Sequence, residues 1–389
     1  MRGIRIGSAF GIPVRLDVTF LVVLPLFAWL IGSDVTNLVQ VLNDLFGASL
    51  SGAVLGASPL RWLLGVGAAL GLFLCVLLHE FGHSLVAMNY GYEIDSITLW
   101  LFGGVARFVD MPEDWREELV IAVAGPVVSV LLGALSYAGF LVVPGTVEPV
   151  QFVFGYLALT NVALAVFNML PGFPMDGGRV LRALLARNRP YAQATQQAAE
   201  VGKVFAFLLA LFGLFANLFL VALAFFIYIG AASEAQQTTM RAAFEDVTVS
   251  DVMTPRDQLS TVQESASVAD LLNRMFRERH TGYPVMRGDE LVGVVTLDDA
   301  REVREVERDA YTVGDVMSDE VTAIAADADV MDAISTMQEH GIGRLPVRDD
   351  AGAVVGLVTR TDVMTAFNII KSHGSLDLPP KGDARLDPR

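Results

Sequence analysis

The chain has 389 residues, 53% of them hydrophobic and only 18% charged, with a formal net charge of −16. Residues 1–240 hold 11 Lys and Arg against 15 Asp and Glu, and residues 241–389 hold 16 against 28, so an apolar half meets an acidic, polar half near residue 240. This is not the composition of an ordinary soluble protein; the acidic half argues against nucleic acid as a partner, because phosphate binding needs a basic face, and a single cysteine, Cys75, excludes an intrachain disulfide and a thiolate metal cluster.

A spanning helix needs about 20 apolar residues, and six apolar runs are predicted to cross a membrane. The amino-terminal stretch MRGIRIGSAFGIPVRLD is basic but leads into a long apolar run without a small-residue cleavage site, so no cleavable signal is expected. The first span is read at 18–32 and contains Pro25; the second covers 61–88, the third 118–143 and the fourth 151–170. The fifth and sixth share 202–231 and are read as a tight hairpin turning near Gly213 and Asn217. Lys and Arg in short loops set orientation. Segments 33–60 and 144–150 and the Gly213–Asn217 turn have none, with Arg61 the one basic residue near that face, whereas Arg2, Arg5, Arg15, Arg107, Arg116, Arg179, Arg182, Arg187, Arg189 and Lys203 fall on the other side. Both termini are therefore expected in the cytoplasm of a multi-pass cell-membrane protein.

Residues 76–90, VLLHEFGHSLVAMNY, place two histidines and a glutamate inside the second span. Each polar side chain there costs about 2.5–3.5 kcal/mol on insertion scales, so a functional return is expected. His79 and His83 are four apart and project from one helix face, the spacing that lets two nitrogens meet one zinc ion. Glu80 is then the group that takes a proton from water activated by the metal. A catalytic zinc needs a third protein ligand and an open position. His280, His340 and His373 all lie in the polar half, so the third ligand is expected to be a carboxylate. Asp17, Glu93, Asp95 and Asp110 are candidates by position; the strongest is Asp176, within FNMLPGFPMDGGRVLRALLARN at 167–188. Asp176 also suits the cap of a helix over 177–188.

Between the second and third spans, alternation in IDSITLWLF predicts a strand, and Gly103 and Gly104 a break or hairpin turn, within 93–110.

The order H-E-x-x-H and then N-x-x-P-x-x-P-x-D-G-G resembles the site-2 protease family of intramembrane zinc metalloproteases. The residues are His79, Glu80 and His83, then Asn168, Pro171, Pro174, Asp176, Gly177 and Gly178, and the resemblance covers about 10–235. GIPVRLD at 11–17, FGG at 102–104 and AGPVVS at 124–129 look like further family features. The family often has Asn where Ser129 stands, so Ser129 is assigned no role. The resemblance implies one zinc ion per chain on His79, His83 and Asp176, Glu80 as the general base, and Asn168 as a donor to substrate. It implies hydrolysis of peptide bonds in transmembrane proteins, whose unwound segment adds to the 93–110 strands near Gly103 and Gly104.

Residues 247–367 contain a repeat. Asp251 matches Asp315, Pro284 matches Pro346, Thr296 matches Thr359 and Asp299 matches Asp362, at offsets of 64, 62, 63 and 63. Each unit reads as strand, helix, strand, strand, helix. GVVTLDD and GLVTRTD make the repeat resemble a tandem pair of CBS domains. That resemblance implies adenine nucleotide (ATP, ADP or AMP) at Thr296, Asp299, Thr359 and Asp362, regulation of the membrane half, and a homodimer.

The expected architecture is thus a polytopic α-helical membrane domain of about six transmembrane helices at 1–240, with membrane lipid around it. A cytosolic α/β tandem CBS domain follows at 241–371, with repeats at 247–306 and 311–370, and a disordered tail at 372–389 closes the chain. Two alternatives stand beside the protease: a transporter or channel gated by the CBS pair, and a catalytically inactive protease relative. The intact Glu80 argues against the second.

Overall fold

The computed structural model describes residues 3–100, 103–108, 112, 114–288, 290–319 and 321–373. Phe102, Asp110 and the expected tail from 374 onward lie outside the described residues. The chain divides into two compact units between Thr238 and Thr239.

The first unit opens with the strands β1 (Ile4–Ala9) and β2 (Ile12–Leu16), followed by α1 (Phe20–Phe46), a single turn α2 (Gly52–Leu55) and α3 (Leu60–Asn89). Then come β3 (Ile94–Trp100), β4 (Gly103–Phe108), α4 (Trp115–Val142), α5 (Glu148–Asn168), α6 (Asp176–Ala186), α7 (Tyr191–Ala216) and α8 (Leu218–Ala243), which ends beyond the unit boundary. Six of these helices, α1, α3, α4, α5, α7 and α8, are long and apolar enough to cross a membrane. The number matches the sequence reading, but three spans, α1, α7 and α8, are much longer than their apolar runs. Helix α1 continues to Phe46 because Val35, Val39 and Leu42 keep the helical spacing and are almost wholly buried. Asp34 and Asn37 occupy the outer face there, hydrogen-bonded to each other.

Helices α7 and α8 are not confined to 202–231. They extend into the polar segments on either side, where Ala, Gln and Glu are good helix formers, and only Asn217 separates them. Small residues let them pair closely: Ala198 and Ala199 pack in one cluster with Ala231, and Ala206 in another with Ile227. A Cβ on Gly213 would lie 2.9 Å from the Val221 nitrogen.

The four strands form one sheet in the order β1-β2-β3-β4. β2 and β3 run parallel, and the outer pairs are antiparallel. Its inner face, Ile12, Val14 and Ile97, packs on Phe81 of α3. The sheet therefore rests on the helix that carries the two histidines, and β4 is an edge strand.

The second unit contains α9 (Val249–Val252), β5 (Thr254–Pro255), β6 (Val262–Gln263), α10 (Val268–Glu278), β7 (Gly282–Arg287), β8 (Glu290–Thr296) and α11 (Leu297–Glu302). It continues with α12 (Val313–Val316), β9 (Ile324–Ala325), α13 (Val330–Glu339), β10 (Arg344–Arg348), β11 (Val354–Thr359) and α14 (Arg360–His373). Two sheets, β6-β7-β8 and β5-β11-β10-β9, repeat the strand, helix, strand, strand, helix pattern. The start of each repeat enters the other repeat's core: Val249 packs with Val330, Leu345 and Val358, and Val313 with Leu271, Tyr283 and Val295. The repeat landmarks have a local cause. Thr248 with Asp251, Thr312 with Asp315, and Thr296 with Asp299 form reciprocal capping boxes at helix starts. Thr359 and Asp362 make the same reciprocal pair of bonds.

Candidate metal centre

Helix α3 buries His79 and His83, each 3% exposed. Four residues apart, their rings face the same neighbour, α4. His83 Nδ1 lies 2.7 Å from the Ile121 carbonyl oxygen. A carbonyl only accepts, so Nδ1 carries the proton and Nε2 keeps its lone pair. His79 Nδ1 lies 2.8 Å from Ser129 Oγ, and the same tautomer there leaves Nε2 free as well. Fixing the far nitrogen in this way is what orients a metal-binding imidazole.

Helix α4 supplies these supports from one face. Ile121, Gly125 and Ser129 are four apart and stack along α3. Gly125 is required: a Cβ there would overlap His83 Nε2 and lie 2.7 Å from His79 Nε2. Gly82 of α3 makes the reciprocal close approach, 3.1 Å from a Cβ position to the Ala124 carbonyl. Ser129, given no role from sequence, is thus a partner of His79. Replacing it with Ala is expected to weaken zinc affinity about 10–100-fold, the usual loss when a ligand's hydrogen-bond partner goes. A competition titration against a chelator measures this.

The chain from Met169 to Met175 turns back sharply, and α6 begins at Asp176. Gly177 sits against the Met169 and Leu170 carbonyls, so a side chain there would strike backbone. Asp176 is the first helical residue, Met175 being the cap position. Its carboxylate does not cap the helix. Asp176 Oδ2 lies 3.2 Å from both His79 Nε2 and His83 Nε2, which are themselves 3.2 Å apart. Three lone-pair atoms at the corners of such a triangle repel one another unless a cation or proton lies among them. Zn–N and Zn–O bonds of about 2.0–2.1 Å in a tetrahedron put neighbouring ligand atoms about 3.3 Å apart. The donor set, two imidazoles and a carboxylate with the Asp176 side chain only 13% exposed, fits a catalytic zinc ion.

Glu80 is half-buried beside the edge strand. A Cβ on Gly104 would lie 3.0 Å from its carboxyl carbon and 3.1 Å from Oε1. Gly104 pairs with the buried Leu99 and shares its inward face, whereas Gly103 pairs with Trp100 at the start of β4. Asn168 is the last, half-buried residue of α5. Among the described residues no hydrogen bond joins it to His79, His83 or Asp176. Asp17 caps Thr19 and Asp95 bonds Ser96, so neither belongs to the metal cluster. In the second unit, a cleft of about 440 Å³ is lined by Thr296 together with Thr281, Asp298, Ser318 and Arg344. Asp299, Thr359 and Asp362 are not among its lining residues.

Comparison with known proteins agrees with this architecture. The model of peptidase family M50 matches residues 67–155 and 145–211, and that of the CBS domain matches 249–305 and 313–369. A zinc metalloprotease of Methanocaldococcus jannaschii is 33% identical over 337 residues, covering 86% of this chain and 88% of its own. The solved site-2 protease from Methanocaldococcus jannaschii is 32% identical, with a TM-score of 0.41, over 60% of this chain and 95% of that one. CBSX2, solved in complex with AMP, is 35% identical, with a TM-score of 0.29, over 32% of this chain and 98% of that one. The relatives define a class of membrane metallopeptidases. The chain belongs to peptidase family M50 and is a zinc metalloprotease with a tandem CBS pair. That membership favours the protease over a CBS-gated transporter or channel.

Proposed function

We propose that the chain hydrolyses peptide bonds within transmembrane segments of other membrane proteins, at one zinc ion held by His79, His83 and Asp176. The observation that supports this most is the 3.2 Å triangle of donor atoms formed where a buried part of α3 meets α6. A zinc ion held by these three residues would lower the pKa of a water and polarise the scissile carbonyl. Glu80 takes a proton as water adds to the carbonyl carbon. It returns that proton to the departing nitrogen as the carbon–nitrogen bond breaks. Asn168 donates its amide to a substrate carbonyl.

A substrate helix must unwind before attack, and the freed backbone needs partners at that depth. The edge of β4 supplies them by strand addition. Gly104 brings the edge against Glu80, so a residue paired there lies beside the general base. The basic loops put this end of α3, and both termini, on the cytoplasmic side of the cell membrane. The CBS pair modulates activity by taking an adenine nucleotide in its cleft, with Thr296 as a lining contact and Asp299, Thr359 and Asp362 holding the helix starts beside the strands. The cleft volume is in the range of small-molecule sites.

The test is cleavage of a labelled single-span protein by purified enzyme in detergent. Cleavage abolished by a zinc chelator and restored by added zinc is the expected result. Cleavage indifferent to the chelator would overturn the reading.

A further inference from the structure

Among the described residues, the largest side chain buried to this extent is Arg182, on α6, only 2% exposed. Nothing in the hydrolytic scheme uses it. Its Nε donates to Glu118 Oε1 at 2.7 Å, its Nη2 donates to the same oxygen, and its Nη1 donates to Glu234 Oε1 at 2.6 Å. The guanidinium also lies 5.0 Å from the centre of the Phe173 ring and 4.8 Å from that of Tyr191. Glu118 is 4% exposed, and its Oε2 has no hydrogen-bond partner among the described residues.

Burying such a group is costly unless its geometry is fixed on all sides, so what it fixes matters. Glu118 stands on α4 in the stripe that continues with Ile121, Gly125 and Ser129, at spacings of three, four and four. That stripe orients His83, makes room for both Nε2 atoms and orients His79. Arg182 stands on the short helix that starts with Asp176, and Phe173 belongs to the turn that delivers Asp176. One guanidinium therefore clamps both the helix and the turn that carry the third donor onto the helix face that aligns the first two.

We infer that Arg182 is the positioning residue of the metal centre: its ion pair with Glu118 sets Asp176 at the distance zinc requires. This rests on the reading of Asp176 as a ligand. Glu234, on α8, completes the clamp from a more exposed position, 27% against 5% for the Glu118 side chain. Its removal should have the smaller effect.

The experiment compares zinc affinity, by chelator competition, in full-length wild type, Arg182→Lys, Glu118→Gln and Glu234→Gln, alongside thermal unfolding of the zinc-free proteins. Arg182→Lys and Glu118→Gln are expected to weaken zinc binding about 10–100-fold, the range for lost support of a ligand, and Glu234→Gln about threefold. In zinc-loaded enzyme kcat should fall with KM unchanged, since substrate contacts are untouched. An ion pair that only stabilises the fold would lower the unfolding temperature and leave zinc affinity within twofold of wild type, and that result overturns the inference. If Arg182→Lys and Glu118→Gln do not fold, Glu234→Gln decides: unchanged affinity there overturns it. Zinc affinity insensitive to His79→Ala would instead overturn the metal centre itself, and this inference with it.

Discussion

Replacing Glu80 with Gln is expected to lower kcat/KM for a transmembrane substrate by about 10²–10⁴-fold, the usual contribution of a general base, while zinc content stays at the wild-type level. The three donors that converge are His79, His83 and Asp176, and Glu80 is not one of them. Gln has nearly the same shape, so the contact with Gly104 on β4 survives and the sheet should keep its place on α3. What is lost is the ability to accept a proton and return it. Metal analysis and kinetics on the same preparation separate this outcome from a damaged site. Cleavage by Glu80→Gln at the wild-type rate would remove Glu80 from the mechanism.

The second large effect is expected where no functional group exists. Gly125→Ala adds one methyl group, and that methyl would overlap His83 Nε2 and sit 2.7 Å from His79 Nε2. Relief by a shift of α4 is blocked, because the same helix is held to α3 by the His83–Ile121 and His79–Ser129 bonds. Gly82 closes the gap from the other side, where a Cβ would lie 2.8 Å from Val128. Zinc occupancy in Gly125→Ala should drop to that of His83→Ala. Gly67→Ala is the matched control: it also lies in a spanning helix, and its added methyl meets nothing within 4 Å. Full zinc occupancy in Gly125→Ala would overturn the requirement for glycine at that position.

How much of this was legible in the sequence depended on how local each signal is. The pair His79 and His83 is read from helical spacing alone, and the repeat landmarks Asp251, Asp315, Thr296 and Thr359 from their recurrence at a near-constant offset; that they cap helices shows only in the fold. Asp176 was reachable by counting histidines and from its Pro- and Gly-rich surroundings. That its carboxylate faces the two histidines rather than capping a helix shows only in the fold, where α6 starts at Asp176 itself and Met175 takes the cap position. The β1–β2 hairpin went unseen. Its two-residue turn, Phe10-Gly11, has φ of 55° and 83°, and Phe stands where Asn, Asp or Gly would announce such a turn. Ser129, Gly125, Glu118 and Arg182 form a group only through the packing of α3, α4 and α6. Glu118 did leave one trace, an acidic residue at the edge of the third apolar run. The extra turns of α1, α7 and α8 were hidden because hydropathy registers lipid contact, whereas helix continuation also follows propensity and buried spacing.

The chain distance between the donors sets a timetable. His79 and Asp176 are 97 residues apart, and α4, which aligns the histidines, lies between them. At roughly 5–20 residues per second, a ribosome needs about 5–20 s after making the two histidines before the third donor exists. Throughout that interval the nascent chain holds the proposed general base without the complete donor set. On the proposed assignment, the half-built chain lacks one of its three zinc donors while it emerges beside other proteins, and a chain truncated before α6 is expected to cleave nothing.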